Sequence, residues 1–376
     1  MLKMLDYVKM ANTRLSENLH RAAELTAPLV QAYRASGCDA IRVVASGSSR
    51  NAADCARPYI QDALGKQVLV VTPEALVDFE YAQPACAFNI AISQSGYSTN
   101  TLAALDFMRE HDMPCAALTA NVGAPIKDHA DTVIDYGVGV ESVDFVTMGV
   151  QTLVEYLVLF AIFAAHADGT VDDDGLARRL AEVSRAIEAH ARMLEVSEAF
   201  VSEHRLELSE PGPVMFVGNG ANFGVAEEAA LKFSETMKFP AMFHEGEEFI
   251  HGPEMQIVPG YHVFTIDDPA GSDRLAAIAA AIGRVTEGAH FVTSHPHGKA
   301  GEIAVPTVSP LLSAIPNLVL FQYIAASVTE ALGCWDVHPY LDAVSDQMEA
   351  KAAGYDRSVE DLKAKAEATY GDTARA

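Results

Sequence analysis

Two serine-rich stretches and one Glu/Lys/His-rich region carry the chemistry of this chain. The first stretch is Ser46-Gly47-Ser48-Ser49, and the second is Ser93-Gln94-Ser95-Gly96-Tyr97-Ser98-Thr99. Hydroxyls and backbone N–H groups hold a phosphate without a basic patch. The second stretch offers four Ser/Thr hydroxyls and a side-chain amide within seven residues, more than a helix N-cap requires. Gly96 lets the backbone approach a ligand closely. The third region begins in Val225 to Phe239, where Val225, Ala229, Phe233 and Met237 recur every four residues as a core face. On a neighbouring face, Glu228, Lys232 and Glu235 stand at i, i+4 and i+7. Such a trio is ordinarily a solvated ion pair. Here it precedes His244, Glu245, Glu247, Glu248, His251, Gly252 and Pro253, a density of carboxylates and imidazoles suited to acid–base work. His244, Glu248 and His251 are weighed as a metal set, but without an HExxH pattern or a cysteine ligand no metal is expected.

The elements that position these residues are legible as short apolar runs. Ile41-Ala45, Val68-Val71, Asn89-Ser93, Ala116-Thr119 and Thr132-Asp135 read as buried strands, with helices near 50–64, 99–111 and 143–167. That alternation predicts a parallel sheet covered on both faces. Residues 1–35 read as helical, with Leu15, Leu19, Ala22, Ala23 and Leu29 as an apolar stripe. Residues 171–207 read as a polar helical connector that ends before Pro211-Gly212-Pro213.

The pattern then restarts. Val214-Val217 enters Gly218-Asn219-Gly220 as Val43-Ala45 enters Ser46-Gly47-Ser48, and His262-Thr265 repeats Asn89-Ile92, both at an offset of 173 residues (Gly47 to Gly220, Asn89 to His262). Further strands are expected at His290-Val292 and Ile303-Val305, and an apolar helix near 311–332. An internal duplication follows. The second-half counterpart of the 93–99 loop is Asp267-Asp268-Pro269-Ala270-Gly271-Ser272, whose carboxylates repel a phosphate, so only the first copy is expected to bind one. The expected organisation is an N-terminal helical segment (1–35), a phosphate-binding subdomain (36–170), a helical connector (171–210), a subdomain carrying the catalytic Glu and His (211–335) and a C-terminal tail (336–376).

Composition narrows the function classes. The net charge is −25, from 26 basic and 51 acidic residues, which disfavours nucleic acid and anionic membrane surfaces as partners. The loops fit neither GxxxxGK[ST] nor GxGxxG, so neither ATP nor NAD is implied and no cofactor is expected. Five scattered cysteines, with no CxxC, read as reduced thiols, and the N-terminus lacks a signal-peptide core; a cytoplasmic protein is expected. The apolar stretch Val150 to Ala165 is short for a membrane span, contains Glu155, and is expected to be a core helix.

The ordered set of motifs resembles the SIS (sugar isomerase) family, in particular the double-SIS isomerase half of glucosamine-6-phosphate synthase and the fructosamine-6-phosphate deglycases. The resemblance rests on Ser93-Gln94-Ser95-Gly96 between strand and helix, on Glu228 to Glu235, and on His251-Gly252-Pro253, and it runs from about 35 to 335. It implies an α/β fold of two tandem SIS subdomains, each a three-layer αβα, flavodoxin-like unit. It implies phosphate and substrate binding by Ser46, Gly47, Ser48, Ser49, Ser93, Gln94, Ser95, Gly96 and Ser98. Glu235 becomes the base that moves a proton between carbons 1 and 2 of an opened sugar, His251 the ring-opening group reaching in from a neighbouring subunit, and Lys232 the active-site lysine. The expected partner is a small phosphosugar, and the expected assembly a homodimer or higher with a shared active site.

The expected activity is a sugar-phosphate aldose–ketose isomerase or Amadori deglycase. The alternatives are a glucosamine-6-phosphate deaminase-type or synthase-like isomerase without a glutaminase domain, and a non-catalytic sugar-phosphate sensor. Departures from the synthase pattern are Tyr97 after the SQSG motif, Met148 near Glu141 and Thr147 where many relatives have lysine, and a tail (Trp335 to Tyr340 and beyond) in which no counterpart of the synthase's lysine-bearing segment is recognised.

Overall fold

The structure is a computed structural model that describes residues 2–82, 84, 86–335, 340–341 and 348–371. Its contacts divide into two compact units, Met1–Ala53 with Tyr59–Ala181 and Val337–Ala376, and Asp54–Pro58 with Glu182–Asp336.

The first unit opens with α1 (Met4–His20) and α2 (Ala22–Ser36), where the sequence suggests one helical stretch. Because the helix restarts after Arg21, the apolar stripe is interrupted: Leu15, Ala22 and Leu29 are buried while Ala23 faces solvent. There follow β1 (Ala40–Val44), α3 (Ser48–Leu64), β2 (Gln67–Val71), β3 (Ala87–Ile92), α4 (Thr99–Glu110), β4 (Cys115–Thr119), β5 (Val133–Asp135) and α5 (Met148–Ala167). The strands form a parallel sheet in the order β2-β1-β3-β4-β5. Strand side chains alternate between faces. Val44, Val71, Ala91 and Ala117 pack with Leu102, Leu105 and Met108 of α4. On the opposite face Phe88 meets Tyr33 of α2, which meets Phe160 of α5.

The helix α6 (Asp173–Leu208) precedes the second sheet. That sheet comprises β6 (Val214–Gly218), β7 (Ala241–His244), β8 (His262–Ile266), β9 (Ala289–Thr293) and β10 (Glu302–Ala304), again parallel, in the order β10-β9-β8-β6-β7. Renumbered within each half, both sheets have the same strand order. Between the strands lie α7 (Ala221–Lys232) and α8 (Asp273–Ile282), followed by α9 (Ala314–Leu332) and, in the tail of the first unit, α10 (Tyr355–Tyr370). One face of the second sheet packs on α8 through Met215, Val217, Val263, Leu275 and Ile278. The other carries an aromatic cluster of Phe216, Phe233, Phe264 and Phe321.

The duplication extends to backbone geometry. Gly47 (φ 56°, ψ −138°) and Gly220 (φ 56°, ψ −125°) hold the same left-handed conformation just before α3 and α7, at the 173-residue offset seen in the sequence. Strand β7 departs from the sequence expectation. It is a half-exposed edge strand ending in His244, and its residues read as loop. Among the described residues, two helices are long and apolar enough to cross a membrane, Met148–Ala167 and Pro310–Leu332, but 94% and 89% of an 18-residue apolar stretch of each is buried inside the structure, as expected of core helices. None of the five cysteines forms a disulfide.

Candidate active site

A five-stranded parallel sheet in the order 2-1-3-4-5 reverses direction of travel between its first and third strands, and ligands bind outside the carboxyl ends at that switch point. In the first unit those two strands are β1 and β3, and the loops after them are 45–47 and 93–98. Asn100 Nδ2 donates to Ser46 Oγ at 3.0 Å and ties the loops together. Ser48 opens α3 and is buried beside the exposed Ser46 and Gly47, with Ser49 half-buried.

The 93–98 loop is shaped by its own hydroxyls. Buried Ser93 donates to Ser98 Oγ at 3.1 Å and accepts from the Gly96 amide at 3.2 Å, and Ser95 Oγ accepts from the Tyr97 amide at 3.2 Å. Gly96 has φ +73°, and a Cβ there would lie 2.6 Å from Ala124 Cβ, so the tight turn requires glycine.

The Gln94 side chain, which the resemblance assigns to phosphate binding, is bonded within the chain. Its Nε2 donates to Glu141 Oε2 at 2.7 Å and its Oε1 accepts from Tyr136 Oη at 2.8 Å. Glu141 also accepts from the amides of Thr147, Met148 and Gly149 at 3.0, 2.6 and 3.1 Å, and so caps α5. This capping explains why α5 starts at Met148 rather than near 143. Burial raises the Glu141 pKa, while the bonds from Gln94 and the three amides pull the other way. A Cβ on Gly149 would lie within 2 Å of Gln94. The Gln94 side chain is therefore a strut that fixes the loop.

The tail supplies a cation that sequence reading missed. Residues 349–352 run beside the loop: Thr99 N donates to Ala350 O at 3.2 Å, Ala352 N to Tyr97 O at 2.8 Å, and Thr99 Oγ1 to Glu349 O at 2.9 Å. Tyr97 meets Tyr355 edge-on at 5.8 Å, so the position that departs from the synthase pattern is where the tail docks. Lys351 Nζ lies 3.3 Å from Ser98 Oγ, 3.5 Å from Ser95 Oγ and 5.0 Å from the Tyr355 ring. Burial lowers its pKa. A lysine thus does stand in the tail. Of the Trp335-to-Tyr340 segment, 336–339 lie outside the described residues.

In the second unit the corresponding loop is closed to an anion by its own acids. Asp267 Oδ1 accepts from Ser272 N at 3.0 Å, Asp268 Oδ1 from Ala270 N at 2.7 Å, and Asp267 Oδ2 from Thr293 Oγ1 at 2.9 Å.

The candidate acid–base residues stand on and after α7. Val225, Ala229, Phe233 and Met237 are buried as expected. The Glu–Lys trio is not a solvated pair. Lys232 and Glu228 side chains are each 1% exposed, and Lys232 Nζ lies 3.1 Å from Glu228 Oε1 and 2.5 Å from Glu235 Oε1. Burial alone would lower the Lys232 pKa; the two carboxylates outweigh it and push it up to about 12. Lys232 therefore stays charged and orients Glu235, whose side chain remains 28% exposed. The helix widens into a π-turn at Phe233–Met237, which carries Glu235, and stops at Lys238 with φ +60°.

His251 is exposed and its Nδ1 bonds Glu247 O at 2.7 Å. Two of the neighbouring acids have structural partners: Glu245 accepts from the amides of Glu247 and Glu248, and Glu247 pairs with Arg274 at 2.7 and 2.9 Å. Among the described residues, the side chains gathered at metal-ligand spacing are Glu207, His262 and His290, not His244, Glu248 and His251.

Residues 36–165 match the SIS-domain family model, in line with the resemblance drawn from the sequence. The chain is 27% identical over 309 residues to a glutamine–fructose-6-phosphate aminotransferase (isomerizing) of Leifsonia xyli subsp. xyli, an alignment covering 77% of this chain and 49% of the relative. The chain thus spans about half the length of the curated relatives it matches. Among solved structures, it superposes on a Clostridium difficile 630 protein provisionally named a phosphosugar isomerase (TM-score 0.82, 20% identity, 91% of this chain and 98% of that one). It also superposes on the C-terminal domain of glucosamine–fructose-6-phosphate aminotransferase from Francisella tularensis (TM-score 0.74, 16% identity, 89% and 97%). These superpositions establish the fold, two tandem SIS-type αβα subdomains.

Proposed function

We propose that this protein, a SIS-domain chain over residues 36–165, binds a 6-phosphorylated sugar or fructosamine and transfers a proton between its carbons 1 and 2. The observation that carries the reading is the hydroxyl-rich 93–98 turn at the switch point of the first sheet, with the Lys351 ammonium within 3.5 Å of two of its hydroxyls. Ser46, Gly47, Ser48, Ser49, Ser93, Ser95, Gly96 and Ser98 surround the phosphate with donors, Gln94 holds the turn, and Lys351 supplies positive charge. Dianion and ammonium attract in a partly desolvated site.

In this proposal Glu235 is the base. One carboxylate that reaches both carbons takes the proton from one and returns it to the other through an enediol or enolamine. Lys232 keeps Glu235 oriented. His251 opens the sugar ring from a neighbouring subunit, an imidazole being able both to donate and to accept a proton; the reading takes the protein as a homodimer or larger assembly in the cytoplasm. Within this class the reading spans aldose–ketose isomerase and Amadori deglycase, and the curated relative's name supports the fructose-6-phosphate end of the range.

The test is turnover in deuterium oxide with fructose 6-phosphate, glucosamine 6-phosphate and fructoselysine 6-phosphate. Solvent deuterium appearing at carbon 1 or 2 of at least one supports the reading. Saturable binding of these sugars without exchange in any of them points instead to a sugar-phosphate sensor.

A further inference from the structure

The geometry points to a second site, independent of the sugar reading, at the opposite end of the second sheet. We infer that Glu207, His262 and His290 bind a divalent transition-metal ion of the zinc class, and that this ion fastens the last turn of α6 to β8 and β9.

His262 is the first residue of β8 and His290 the second of β9, so both lie at the amino ends of their strands, away from the carboxyl-end loops. The pairing of Phe264 with His290 puts His262 and His290 on the same face of the sheet, since residues two apart along a strand share a face. Glu207 comes down on that face from α6. Its Oε1 is 3.7 Å from His262 Nδ1 and 3.5 Å from His290 Nε2, and the three ligand atoms all lie within 4.8 Å of one another. Donors at about 2.0–2.2 Å around a tetrahedral zinc are separated by about 3.3–3.6 Å, close to the two distances from Glu207 Oε1.

The second observation is that the donor atoms are weakly matched. The His290 side chain is 2% exposed, yet among the described residues its Nδ1 makes no hydrogen bond, and its Nε2 and His262 Nδ1 have only the long contacts to Glu207 Oε1 at 3.5 and 3.7 Å. A buried imidazole with nitrogens so weakly matched is costly unless something else occupies them.

The surroundings fit a built site. His290 stacks on Phe264 at 4.6 Å and meets Phe200 edge-on at 5.2 Å, which fixes its ring. His204 Nδ1 bonds the other Glu207 oxygen at 3.0 Å, the outer-shell support that orients a ligating carboxylate. A Cβ on Gly288 would sit 2.9 Å from His262 Nδ1, so glycine keeps that nitrogen's side open. Solvent completes the coordination on the side where Glu207 is 36% exposed.

The full-length protein, stripped with chelator and free of any affinity tag, is titrated with Zn²⁺ by calorimetry and with Co²⁺ by visible absorption. The expected result is one ion per chain, a four- or five-coordinate Co²⁺ spectrum, and a higher melting temperature with Zn²⁺ than without. Glu207→Gln, which also gives up the carboxylate's contacts to His204, His262 and His290, is read against its own metal-free melting temperature and is expected to weaken Zn²⁺ by more than the roughly 10–100-fold that loss of an outer-shell partner costs. His262→Asn is expected to weaken it likewise. Absence of saturable binding, or equal binding by wild type and both variants, overturns the inference.

Discussion

Replacing Lys351 by methionine removes the ammonium that stands beside the 93–98 turn and 5.0 Å from the Tyr355 ring, while keeping an apolar stem. The nitrogen stands 3.3 and 3.5 Å from Ser98 and Ser95 Oγ. A phosphate oxygen bonded to either hydroxyl therefore falls roughly 4–5 Å from it, where unit charges attract by about 4 kcal/mol at an effective dielectric of 20. Lys351 is solvent-exposed as a residue, so screening reduces that figure. The lower part of the range for a charge-assisted bond, about 1.5–2 kcal/mol, is the working value. It corresponds to roughly 10–30-fold weaker binding of a sugar phosphate. Calorimetric or competition titrations with fructose 6-phosphate and with unphosphorylated fructose measure it, and only the phosphorylated sugar should respond.

Lys351→Met also has a pH signature. Burial places the Lys351 pKa below its ordinary 10.5, and the charged form is the one that binds. Wild-type affinity should therefore fall as pH rises through the alkaline range below 10.5, and the variant should lack that limb. Equal affinity in the two proteins, or an equal loss for the unphosphorylated sugar, refutes the assignment of Lys351 as a phosphate ligand.

Three further outcomes are expected. Glu235→Gln abolishes deuterium exchange at carbons 1 and 2 while leaving sugar-phosphate affinity within about threefold, as expected for a group acting only in the proton transfer; normal exchange rates would show the base is misassigned. Ser93→Ala combined with Ser95→Ala removes two hydroxyls from the turn and costs about 1–3 kcal/mol of sugar-phosphate binding, with unphosphorylated sugars unaffected in the same titration. Glu155, buried in α5, has its pKa raised well above 4.5 by desolvation, opposed by Asn18 and Arg21. The folded state then holds a proton that the unfolded state releases, so wild-type stability falls as pH rises above about 4.5, by at most about 1.4 kcal/mol per pH unit. Glu155→Gln should remove that slope in denaturation midpoints measured between about pH 5 and 7.

The sheets were legible because buried parallel strands are nearly continuous apolar runs, and Ile41, Val43 and Ile90 announce themselves whatever their neighbours. Strand β7 was not, because an edge strand with half-exposed Ala241, Met242 and His244 has no such run. The serine loops and the Glu228–Glu235 helix were readable from residue type and spacing. Their energetics were not: helical spacing puts Lys232 between two carboxylates but does not say whether water surrounds them, and burial decides that. Lys351 escaped because its role depends on a tail pairing with residues more than 250 positions earlier, through an isolated bridge between Ser98 and Lys351. The cluster of Glu207, His262 and His290 escaped for the same reason. Its members meet only after strand pairing, and no local spacing rule links them.

In the proposed reaction one bound sugar meets both the phosphate-binding turn and the Glu235 carboxylate. A crystal structure with a 6-phosphorylated ketose or its open-chain alcohol analogue tests it directly. The predicted result has phosphate oxygens on the hydroxyls of Ser93, Ser95 and Ser98, and a Glu235 carboxylate, from the same or a neighbouring subunit, about 3–3.5 Å from carbon 1 or 2. A phosphate bound elsewhere, or a Glu235 carboxylate beyond reach of both carbons in every subunit of the assembly, contradicts it.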